Sequence, residues 1–111
     1  MQPGRGAQSR MIYKFKSKAA GDLIMLGPQG DQLLRLLGRE PAAQGIIEPG
    51  AMAAAIATLE AAVAADEAAR REAGADEDDM KQGISLRRRL WPMVEMLRRC
   101  QTENQNIVWG V

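Results

Sequence analysis

The chain has 111 residues, 46% of them hydrophobic and 26% charged, and its 15 basic and 14 acidic side chains leave a net charge of +1. That composition suits one domain with one core and is too apolar for a disordered chain, while the charge balance supplies no long-range field for nucleic acid or an anionic membrane. Histidine is absent and Cys100 is the only cysteine, which excludes an internal disulfide, an in-chain zinc site and the commonest general base, and points to a reducing cytoplasm.

Residues 1–10 are polar, carry Pro3, Gly4 and Gly6, and lack the apolar centre of a secretory signal. They are expected to form a disordered extension ahead of a single domain over residues 11–111. No run reaches the ~20 apolar residues of a membrane span. Met11, Tyr13 and Phe15 alternate with Ile12, Lys14 and Lys16, the period of a strand with one face on the core. Residues 17–21 read as a loop in which Gly21 is free to take a positive φ. Leu23, Ile24, Met25 and Leu26 then form an unbroken apolar run, the pattern of a strand covered on both faces, and the two strands make a hairpin.

Gly27, Pro28, Gln29 and Gly30 break the second strand, and Asp31 is placed to cap a short helix carrying Leu33, Leu34, Leu36 and Leu37. Gly38 and Pro41 end it. Ile46 and Ile47 read as a brief strand or a core plug. Pro49 suits the first turn of an alanine-rich helix running to about Ala73, with an apolar stripe of Met52, Ile56, Leu59 and Val63. One turn later that face carries Asp66, Glu67 and Arg70, so the helix leaves the core after Val63. The pairs Asp66–Arg70 and Glu67–Arg71 support an end expected to fray.

The segment 74–83, containing Asp76, Glu77, Asp78 and Asp79, is expected to be a mobile acidic loop. Ser85 is placed to cap a last helix whose buried face is Leu86, Leu90, Met93, Val94, Leu97 and Cys100. Pro92 kinks that helix if it starts at Ser85 and is harmless if it starts near Arg88. Ile107, Val108 and Trp109 form a closing strand. The pattern predicts a two-layer α+β fold, a small mainly antiparallel sheet (N-terminal hairpin plus C-terminal strand) packed against three helices.

The blocks MIYKFKSKAAGDLIMLGPQGDQLLRLLG, GIIEPGAMAAAIATLEAAVAADE, GISLRRRLWPMVEMLRRC and NIVWGV resemble, in the same order, the small bacterial family catalogued as domain of unknown function 1840. The resemblance runs from residue 11 to residue 111. It implies no activity and carries over no functional residues. It does imply that Met11 is the native start, or that residues 1–10 are dispensable.

Gly27-Pro28-Gln29-Gly30-Asp31 joins a strand to a helix, where backbone N–H groups can cradle phosphate, but no lysine or hydroxyl follows, and it reads as a tight turn with a capping aspartate. The carboxylates Asp31, Glu48, Glu60 and Glu95 show no catalytic spacing and read as surface groups. Cys100 continues a buried face and reads as an inert core thiol, although Arg98 and Arg99 adjoin it. Trp109 reads as a strand residue covering the sheet, and Met25, Met52, Met93 and Met96 as core filler.

Arg87, Arg88, Arg98 and Arg99 fall opposite the apolar arc of the last helix, with Trp91 among them. Tryptophan and arginine dominate interface hot spots, so these five residues are the expected partner-binding set. Two structural readings compete: Trp91 packs inward beneath Arg87 or Arg88, or the arginines pair with the acidic loop. The expected function is a non-catalytic protein-interaction or accessory module, binding another protein or itself. The alternative is a nucleic-acid binder that adds Lys14, Lys16 and Lys18 to the arginine/tryptophan face. No enzyme activity, cofactor, metal or membrane partner is expected.

Overall fold

The computed structural model describes residues 12–74 and 85–110. The expectations for residues 1–10 and for the acidic segment after Gly74 lie outside the described residues. Seven elements follow in chain order: β1 (Ile12–Ser17), β2 (Ala20–Leu26), α1 (Gly27–Leu36), β3 (Gly45–Ile47), α2 (Pro49–Glu72), α3 (Leu86–Glu103) and β4 (Ile107–Trp109). The strands form one sheet in the order β2-β1-β4-β3 with every neighbouring pair antiparallel. The helices cover one face, giving the two-layer α+β architecture.

Alternation in β1 sets the sheet's orientation. Tyr13 and Phe15 are buried while Ile12 and Lys14 face out. The Phe15 ring stacks on Tyr13 (centroids 5.8 Å apart) and meets the edge of Trp109 at 5.4 Å, a geometry that aromatic quadrupoles favour. β4 lies between β1 and β3, so Ile107 and Trp109 are buried at the centre of the sheet. Trp109 Nε1–H donates to the carbonyl of Ala42 at 3.1 Å, which satisfies the indole where it is buried.

The hairpin is tighter than its sequence implies. β1 runs to Ser17, the turn is Lys18 and Ala19, and Gly21 sits within β2 without a positive φ. The Ser17 side chain accepts from the Ala19 N–H at 3.2 Å and stabilises the short turn. β2 also differs: Met25 is buried, but Ile24 and Leu26 are 55% and 59% exposed. The strand lies at the sheet edge with helices on one side only, so an unbroken apolar run does not here mark a strand covered on both faces.

α1 starts at Gly27 rather than at an Asp31 cap. Leu26 occupies the N-cap position without a side-chain hydrogen bond, Pro28 lies in the first turn, and the Asp31 carboxylate accepts from the Tyr13 hydroxyl instead. A Cβ on Gly30 would lie 2.0 Å from the Tyr13 ring, so glycine lets α1 settle onto β1. Gly38, at φ +80°, ends the helical segment as expected.

α2 buries Met52, Ala55, Leu59 and Val63; Ile56 is half-buried. No residue of α2 beyond Val63 is buried, and Asp66 accepts from Arg70 Nε at 3.0 Å. In α3, Ser85 Oγ accepts from the Arg88 N–H at 3.1 Å, the expected N-cap. Helix α3 passes through Pro92 and ends at Asn104 in the left-handed conformation, so the proline is interior. Met96 joins the anticipated buried face of α3.

Candidate interaction surfaces

The arginine/tryptophan set forms a clasp between α2 and α3. Arg87 Nε donates to Glu67 Oε2 at 2.8 Å and its Nη2 to Oε1 at 3.3 Å; Arg98 pairs with Glu60. Glu60 and Glu67 are two turns apart on α2, and Arg98 and Arg87 three turns apart on α3, so both ion pairs lie along one seam between antiparallel helices. Glu67 thus takes the guanidinium of Arg87, not that of Arg71, because a partner across the seam reaches both carboxylate oxygens. The hydrogen bond from Arg87 holds the Glu67 carboxyl below its ordinary range and raises the Arg87 guanidinium above its own.

Trp91 lies between these pairs. It is half-buried and packs on the core, with the Arg87 guanidinium 4.5 Å and that of Arg98 5.6 Å from its ring centroid. Both arginines stack on the indole while held by α2 carboxylates. Arg88 and Arg99 are exposed and have no ion pair among the described residues. Of the three lysines that the nucleic-acid reading adds, Lys14 and Lys16 lie on the sheet face away from the helices and Lys18 lies in the turn between β1 and β2, so the structure does not bring Lys14 and Lys16 together with the arginines.

The carboxylates are dispersed. Asp31 is bonded to Tyr13, Glu60 to Arg98, and Glu48 and Glu95 are exposed. Cys100 is buried, with Sγ 3.1 Å from Ser17 Oγ. Among the described residues no group of three or more Cys, Asp or Glu is placed to hold a metal ion, and no helix is long and apolar enough to cross a membrane.

A second surface, the open face of the sheet, escapes the sequence reading. Ile12 (52% exposed) stands opposite Leu26, Ile24 opposite Lys14, and Ile46 (41% exposed) opposite Val108, which in turn faces Lys16. Ile12, Ile24, Leu26 and Ile46 are the large hydrophobic side chains most exposed among the described residues, and all four project from the side that none of the described helices covers. Charged groups share that face: Lys14 Nζ lies 3.9 Å from Asp22 Oδ2, both half-exposed, and Lys16 follows Lys14 on the same side of β1. The outward positions of β1 were legible from alternation. Those of β2 were hidden by a run that is apolar at both inward and outward positions.

The family model described as Domain of unknown function (DUF1840) matches residues 11–109. No curated protein and no solved structure matches the chain.

Proposed function

We propose that this chain, which belongs to the DUF1840 family, is a non-catalytic protein-interaction module that docks through the open face of its sheet, with a second copy of itself as the occupant the face fits. The carrying observation is the exposure of Ile12, Ile24, Leu26 and Ile46 on one face that none of the described elements covers. Apolar side chains gathered in this way gain about 25 cal/mol for each Å² withdrawn from water. Lys14 and Asp22 favour a second copy, because a twofold operation turns the same patch on itself, so that a patch carrying both signs can set Lys14 of one copy against Asp22 of the other.

Four short strands offer an area near or below the ~1,200 Å² lower bound of standard interfaces, so the association is expected to be weak and reversible. The Arg87/Arg88/Trp91/Arg98/Arg99 face is the lesser docking proposal, since Arg87 and Arg98 are already held by Glu67 and Glu60. A nucleic-acid role is weaker still, its two cation sets lying on different faces. The buried, unpaired thiol of Cys100 accords with a cytoplasmic setting. A dilution series followed by amide NMR tests the main proposal. The expected result is concentration-dependent shifts confined to β1, β2, β3 and β4. Shifts confined to α2 and α3 would transfer the interface to the Trp91 clasp.

A further inference from the structure

The two rims of the sheet are guarded differently. At one rim β3 is three residues long, and Arg39 Nη1 donates to the Ile46 carbonyl at 3.0 Å. A short edge strand with a cation bonded to its backbone resists the addition of a further strand. At the other rim β2 is seven residues long and pairs with β1 alone. It holds no lysine, arginine or proline, and among the described residues no side chain or loop bonds to its backbone. Its register with β1 is regular from Leu23 to Leu26; beside the turn, Gly21 and Asp22 together face Lys16 as a bulge. In an edge strand every second residue turns its N–H and C=O outward, unpaired. Ile24 and Leu26, the two most exposed large hydrophobic side chains among the described residues, stand on that rim.

We infer that the β2 rim takes an extended segment of another protein as an added strand. Unmet backbone groups specify the occupant's backbone, because an extended chain offers donors and acceptors at the strand spacing. The β2 strand of a second copy does not fit. Twofold antiparallel pairing sets residues of like parity opposite each other, since opposed side chains share a face, so no twofold register covers Leu23 to Leu26 as a block. The nearest registers either draw in the bulge at Asp22 or stop at Ile24 to Leu26. A separate segment pairs with the whole regular run and sets apolar side chains against Ile24 and Leu26. It meets Asp22, the only charge of β2, with a lysine or arginine; Asp22 is half-exposed and reaches Lys14 only at 3.9 Å. The rim and the open face are separate sites, and either stands if the other fails.

Amide NMR on the dilute full chain reads the inference. The probe is the end-capped peptide Lys-Thr-Val-Thr-Val-Thr-Lys, whose symmetric pattern suits either strand direction, and its counterpart carries Glu in place of each Lys. Without peptide, alternate β2 amides exchange quickly. The Lys peptide shifts β2 amides saturably, slows the exchange of those same amides, and binds at least about threefold more tightly than the Glu peptide. Asp22→Asn abolishes that preference. Ile46→Lys, at the opposite rim of the open face, changes binding of the Lys peptide by less than about twofold. Uniformly slow β2 amides in the dilute chain alone would mean that its own residues fill the rim. That result, no saturable shift, equal binding of the two peptides, a preference that survives Asp22→Asn, or a large loss in Ile46→Lys overturns the inference.

Discussion

The two faces of the sheet are built from the same strands and have opposite fates. Inward positions carry Tyr13, Phe15, Met25, Ile47, Ile107 and Trp109, all buried; outward positions carry Ile12, Lys14, Ile24, Leu26 and Ile46, all exposed. Aliphatic content does not separate them, since both hold large aliphatic side chains, although the aromatic rings are all inward and the charged groups all outward. What differs is the shape of the surroundings: on the inner side aromatic rings meet glycines at close range, Tyr13 against Gly30 and Trp109 against Gly45. The outer side has no covering element among the described residues. The inner face therefore holds the fold together, and the outer face is the one proposed to meet a second copy.

That contrast is most exposed to failure at Phe15. Phe15→Ala empties the centre of the core and is expected to cost about 3–5 kcal/mol in a urea titration; a loss below about 1 kcal/mol would show that the inner face is not the stabilising one. Gly45→Ala comes next. Its Cβ would lie 2.1 Å from the Trp109 ring, and overpacking of this kind costs about 1–3 kcal/mol by the same assay. Ile24→Lys on the outer face is expected to alter monomer stability by no more than about 0.5 kcal/mol. A cooperative unfolding penalty comparable to that of Gly45→Ala would erase the distinction between the faces.

The smallest effect lies in the helical layer. Because the folded Glu67 carboxyl ionises below its ordinary value of 4.5, its pairing with Arg87 stabilises the fold fully above that value and is lost as the pH falls through the folded pKa. Glu67→Gln should thus lower stability slightly at neutral pH and flatten the acid limb of the melting profile below pH 4.5. An unchanged acid limb would mean that the clasp across the seam contributes nothing.

Much of this was legible in the residues. Alternation placed Tyr13 and Phe15 inward, and the helical period of α3 identified Leu86, Leu90, Met93, Val94, Leu97 and Cys100 as its buried face. Pro49 and Ser85 marked the starts of α2 and α3. The failures share a cause: each turned on which element packs where. The run Leu23 to Leu26 carries no record of whether one face or two is covered, so the open sheet went unseen. Asp31 has the chemistry of a cap, yet β1 brings Tyr13 to its carboxylate. The composition of α3 showed arginines beside Trp91, but only the antiparallel packing of α2 reveals that Glu60 and Glu67 hold two of them.

Sedimentation equilibrium on the wild-type chain and on the double variant Ile24→Lys/Leu26→Lys tests the central claim most directly. The account predicts a reversible monomer–dimer equilibrium for the wild type, and a monomer with an unchanged melting temperature for the variant. A wild type that stays monomeric at every concentration reached, or a variant that dimerises as well as the wild type, contradicts it.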